Sequence, residues 1–161
     1  MTSPIRATDD DARTLARTLI GEARFGALAV LDPDNKTPLV SRVAVVPGPD
    51  GLPLFLVSDL SAHTRALKAD PACSLLLGEP EEKGDPLTHP RISIQGRARF
   101  IRHGDAGHAD LAQHYLTIQP KAKLYIGFAD FSLMRLEITG AHLNGGFGKA
   151  FVLTATDLIL P

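Results

Sequence analysis

The chain has 161 residues and a mass of 17.2 kDa, enough for one domain and cramped for two. Apolar residues make up 44% and charged residues 22%, a globular composition richer in apolar residues than disorder allows. Lys plus Arg number 17 against 18 Asp plus Glu, so the net charge of -1 lacks the basic excess of a non-specific nucleic-acid binder.

In chain order, Asp9, Asp10 and Asp11 precede Ala12, Leu15, Ala16 and Leu19, which share one helical face. Acids favour a helix N-terminus, and the spacing predicts a helix over 8–20. Short apolar runs with turn chemistry between them then predict an antiparallel meander, with strands at 25–31, 39–46 and 54–58. Ser61 is placed to cap a helix over 62–68, which Pro71 closes. A strand follows at 73–77, then a polar Glu-, Pro- and Gly-rich loop over 78–86.

From Arg91 the side chains alternate. Ile92 and Ile94 point one way; Arg91, Ser93, Gln95 and Arg97 point the other. A helix over 105–117, interrupted by Pro120, and strands at 133–139 and 151–154 complete the chain. The order implies a mainly antiparallel sheet with few long crossovers, hence a small barrel in a single domain over 1–161, with flanking helices.

Cys73 is the single cysteine, which excludes an internal disulfide and a cysteine-rich zinc site. No apolar run approaches 18 residues, and acids stand where a signal peptide needs an apolar stretch, so a cytoplasmic location is expected. The six histidines include no closely spaced helical pair, and no metal site is expected. Neither a dinucleotide fingerprint nor a lysine-bearing phosphate loop is present.

Three groups of residues could carry chemistry. The first joins Ser41-Arg42-Val43 to the strand-to-helix corner from Ser58 to Arg65. Free N–H groups at the helix start, hydroxyls of Ser61 and Thr64, and the guanidinium of Arg42 or Arg65 could hold an anion; a capped helix with surface arginines is the alternative. The second is the polar row of Arg91, Ser93, Gln95 and Arg97, either solvated or facing a partner or polar ligand. Gly96 allows close approach of another backbone or a flat ligand. The third, Asn144-Gly145-Gly146-Phe147-Gly148-Lys149, reads as a turn with special dihedrals.

Four ordered segments carry a family resemblance: Pro38–Ala44, Leu56–Arg65, His89–Ala98, and Asp130–Leu136 with Gly145–Ala150. Together they resemble the flavin mononucleotide (FMN)-binding split-barrel proteins related to pyridoxamine 5'-phosphate oxidase, in the branch that includes the haem-utilisation proteins. The resemblance implies a six-stranded antiparallel split barrel and a homodimer with two shared cofactor sites. It places phosphate binding on Arg42, Ser58, Ser61, Thr64 and Arg65, with His63 as a further contact. Val43 and Leu60 would lie along the flavin, and Gln95 would reach it from the partner. It implies a small FMN-dependent oxidoreductase of unassigned substrate or, alternatively, a non-enzymatic flavin module. Haem binding or degradation is the other alternative. There the relatives' iron ligand lies beyond the glycine segment, whereas the only late histidine here, His142, precedes it.

Overall fold

The computed structural model describes residues 3–161. Eight strands form it: β1 (Ile5–Arg6), β2 (Phe25–Leu31), β3 (Pro38–Pro47), β4 (Pro53–Ser58), β5 (Ala72–Leu77), β6 (Arg91–Ile101), β7 (Phe131–Asn144) and β8 (Ala150–Leu153). Four helices accompany them: α1 (Asp10–Glu22), α2 (Ala62–Ala69), α3 (His108–Ile118) and α4 (Ala155–Leu158). The sheet runs β7-β4-β3-β2-β5-β6 and closes through an additional β6–β7 pairing, giving a six-stranded antiparallel barrel. β8 continues the sheet beyond β7, and β1 pairs with it in parallel.

The alternation seen in the sequence sorts side chains between the two barrel faces. Leu28, Val30, Val43, Val45, Leu75 and Ile94 point inward into one core, whose end α1 seals with Ala12, Ala16 and Ile20. β4 is buried on both faces, which explains its unbroken apolar run. Phe55 and Val57 enter the barrel, while Leu54 and Leu56 join Leu133, Tyr115 and Ile126 in a second core under α3.

β6 carries the closure and keeps its alternation from Ile92 through Phe100, whereas the alternation of β7 breaks once, at the extra residue Thr139. The register against β7 shifts between Gln95 and Gly96. A Cβ on Gly96 would stand 2.5 Å from the Glu137 carbonyl oxygen, so the close backbone approach that this glycine permits is made by β7 of the same chain.

Several boundaries differ from expectation. α1 starts at Asp10 because Asp9, whose side chain accepts from the Ala12 N–H, is its N-cap. α3 starts at His108, not near 105, because Gly104 and Gly107 adopt left-handed backbone that a helix cannot continue through. β7 is far longer than the expected 133–139, since closure pairs it with β6 along its length. β1 and α4 lie outside the predicted elements; two residues of strand and four of helix are too short for periodicity to show.

α4 is held by a capping box between Thr154 and Asp157. Asp157 also accepts from the Arg13 Nε at 2.7 Å, tying α4 to α1. The Thr154 backbone N–H and the Arg13 guanidinium hold the Asp157 carboxyl below its ordinary pKa.

Two measurements check this account. Gly96→Ala should destabilise the fold by about 1–3 kcal/mol in urea denaturation, since backbone rather than a flexible side chain blocks the new methyl. Asp157→Ala should cost about 1 kcal/mol at pH 7 through the lost cap. A carboxylate with a depressed folded pKa stabilises above its unfolded pKa and loses that contribution as pH falls through the folded value. The gap between the two proteins should therefore close below the ordinary carboxylate range.

Candidate functional site

β3 and β4 run side by side, and β4 ends at Ser58, where the chain turns through Asp59 and Leu60 into α2. The Ser61 N–H donates to the Ser58 carbonyl, and the Asp59 N–H to the Asp130 carbonyl. This corner and the segment before β7 enclose an open groove of about 320 Å³. Arg42, Val43 and Ala44 come from β3, and Leu56, Val57 and Ser58 from β4. Ser61 and His63 come from the start of α2, with Tyr125 and Phe131 opposite.

Of the expected site residues, Arg42, Val43, Ser58, Ser61 and His63 thus converge. Ser61 is the N-cap of α2 but makes no side-chain capping bond, so its hydroxyl and the first-turn N–H groups remain available. Burial lowers the His63 pKa, which keeps its imidazole neutral at pH 7. The Arg42 guanidinium lies 5.6 Å from the Phe25 ring centroid. From there it also borders a second cleft of about 360 Å³ between β2, β3 and the start of the 78–90 loop.

The remaining expected residues go elsewhere. Thr64 is fully buried under α2, and its hydroxyl has no hydrogen-bond partner among the described residues. Arg65 pairs with Asp34 at 2.8 Å on the surface, and Leu60 is 88% exposed. The Ser58 hydroxyl donates to an Asp130 carboxylate oxygen at 2.7 Å. That places a negative charge beside a hydroxyl expected to meet phosphate.

Gln95 and His142 lie on the outer barrel face, away from the groove. Paired residues place Arg42, Ala27, Leu76, Ser93 and His142 in one cross-strand row. His142 is four strand spacings from Arg42, about 19 Å around the barrel. In the third group, the Gly145 N–H donates to the Lys149 carbonyl, Gly146 and Gly148 have positive φ, and Phe147 is 98% exposed. Cys73 is half-buried, and burial raises its thiol pKa to about 11.

Sequence reasoning missed the aromatic wall. Tyr125 and Phe131 have ring centroids 5.1 Å apart, and Phe128 and Phe131 6.3 Å. Three aromatics within seven residues, in a chain with only 6% aromatic content, were the available signal.

Residues 7–158 match a family model described as CREG, beta-barrel. "Non-canonical heme oxygenase HOZ, chloroplastic" of Arabidopsis thaliana is 32% identical over 155 residues, covering 92% of this chain and 46% of that protein. The chain therefore spans about half the length of this curated relative. The structure of a heme binding protein from Mycobacterium smegmatis is 30% identical with a TM-score of 0.81, covering 96% of this chain and 61% of that one. A Clostridium acetobutylicum protein of the pyridoxinephosphate oxidase family, 11% identical, shares the fold at a TM-score of 0.69, over 94% of this chain and 99% of its own. With the closed six-stranded barrel and the match over nearly its whole length, the chain belongs to the CREG beta-barrel family, which shares the split barrel of the pyridoxamine 5'-phosphate oxidase-related proteins.

Proposed function

We propose that the chain binds haem, with the β3–β4–α2 groove as its contribution to the site. The observation that carries this reading is the combination of a neutral, half-buried imidazole, a guanidinium and an aromatic wall in one groove. Haem is a flat apolar ring with an iron that takes neutral imidazole and an edge that carries carboxylates. His63 would supply the nitrogen ligand, Arg42 would bind a propionate, and Tyr125 and Phe131 would cover the ring. The names of the two relatives at 30% and 32% identity support the choice. Bound haem supplies a redox-active iron. The oxygenase activity in one relative's name belongs to a chain about twice as long, and the reading for this chain stops at binding.

FMN is the second reading. The uncapped start of α2 beside Arg42 favours it, as a place for a phosphate. The Asp130 carboxylate on Ser58, the sealed Thr64 and the engaged Arg65 weigh against it.

The groove is open, and a tetrapyrrole exceeds its volume. The outer face of β2, β3, β5 and β6 offers Ala27, Val40, Leu76, Ser93 and Gln95, small or uncharged side chains suited to packing against a second copy. A homodimer packed through this face would cover the site and bring Gln95 toward it.

Hemin titrated into the purified chain should give a stoichiometric Soret band, with weaker or no binding of added FMN. His63→Ala should shift or abolish the band. Arg42→Ala should weaken binding by about tenfold to a hundredfold, the worth of one charge-assisted bond. Stoichiometric FMN binding without a Soret band would select the second reading. Light scattering should give a mass near twice 17.2 kDa; a persistent monomer that binds haem with full affinity would remove the shared-site part.

A further inference from the structure

The groove's aromatic wall is held from behind by two histidines that the haem reading does not use. The His103 Nε2 lies 3.1 Å from the Phe128 carbonyl oxygen. A carbonyl only accepts, so Nε2 carries the hydrogen and neutral His103 is the Nε2–H tautomer. The His103 ring in turn packs on His108, with centroids 4.5 Å apart and planes tilted by 46°. His108 is the first residue of α3 and only 8% exposed, whereas His103 is exposed. The chain of contacts therefore runs from α3 through His108 and His103 to the Phe128 backbone, and from the Phe128 ring to Phe131 in the groove.

We propose that His103 is a positioning residue for the ligand groove, and that the His103–His108 pair makes the aromatic wall pH-sensitive. The proposal rests on the haem reading for the identity of the ligand, but not for the latch itself.

A proton on His108 would place a cation at a nearly buried position against the tilted His103 ring. Burial and the nearby His103 both lower the His108 pKa, while Asp105 in the intervening turn acts weakly the other way. The Asp105 carboxylate accepts from the Arg102 N–H, and the Arg102 guanidinium sits over the Phe100 ring, 5.7 Å from its centroid. From the segment before β7 the Phe128 carbonyl faces the pair. From the same helix, Asp110 is exposed in the first turn of α3. A histidine kept neutral by its surroundings stabilises the contact above its unfolded pKa and loses that contribution as pH falls through the lowered folded value. The latch is thus closed at neutral pH and opens below the ordinary histidine range.

Two measurements on the full chain test this independently. The first needs no ligand: NMR titration of the histidine ring protons, together with the Ala129 amide that follows the Phe128 carbonyl. The Ala129 shift should follow the His108 titration, and His103→Ala should abolish that coupling. An Ala129 shift indifferent to pH in the wild type would overturn the latch whatever the protein binds. The second is hemin affinity between pH 8 and 5 for the wild type, His103→Ala and His103→Gln. Glutamine keeps a donor for the carbonyl but does not titrate. His103→Ala should bind about threefold to tenfold more weakly at neutral pH. His103→Gln should keep neutral-pH affinity and lose part of the acid-side decline, the rest belonging to the groove itself. Equal pH profiles for wild type and His103→Gln would overturn the coupling of the latch to the groove. A complete lack of hemin binding by the wild type, with the Ala129 coupling intact, would instead reject the haem reading and the hemin-gating claim with it, while leaving the latch in place.

Discussion

Everything in this molecule depends on the pairing of β6 with β7. Without it the sheet is an open ribbon with two long edges, and Ile92, Ile94, Ala141 and Leu143 lose their enclosure. Closure demands that the paired strands bend partway along, and the extra residue Thr139 on β7, opposite the Gln95–Gly96 step of β6, supplies the bend. The glycine is set by geometry, since any side chain there would occupy the space of the Glu137 carbonyl. The closed barrel then fixes which strand ends share an opening. β3 and β4 meet α2 on one flank, and the stretch leading into β7 closes over them from the other.

The two cores divide the labour. The barrel interior is aliphatic, with Phe55 and Phe151 its buried aromatics, and gives the strands a single register. The core under α3 is assembled from the outer faces of β4 and β7, and it carries the segment from Pro120 to Phe131 on its rim. The rigid side of the groove thus belongs to one core and the aromatic side to the other. His114 Nε2, 2.8 Å from the Pro47 carbonyl oxygen, fastens α3 to the end of β3 and joins the two halves.

Most of the barrel was legible in the sequence because half-buried strands write their two faces as alternation. The edges of β2, and the inward set of Ile92 and Ile94, follow from that pattern directly. What was not legible depended on distant parts of the chain. The extension of β7 reflects the length of β6, and the start of α3 reflects the dihedrals of two glycines. Within the site, the convergence of Arg42, Ser58, Ser61 and His63 was readable from a strand-to-helix corner and a family resemblance. That Thr64 turns under its helix and that Arg65 turns out to Asp34 was not, because adjacent residues on a helix point in different directions. The aromatic wall escaped because Tyr125 and Phe128 sit in irregular chain, where periodicity carries no signal, and Phe131 is the first residue of β7, ahead of the expected strand.

The surroundings of Cys73 set the chemistry of the only sulfur nucleophile in the chain. Its Sγ lies 3.7 Å from the Gly96 carbonyl oxygen, and with a pKa of about 11 only about one thiol in ten thousand is ionised at neutral pH. Alkylating reagents and peroxides act on thiolates, so this side chain behaves toward them as a small hydrocarbon. A cysteine introduced on an exposed strand would be alkylated orders of magnitude faster. Site-selective labels can therefore be attached with the native sulfur left in its place.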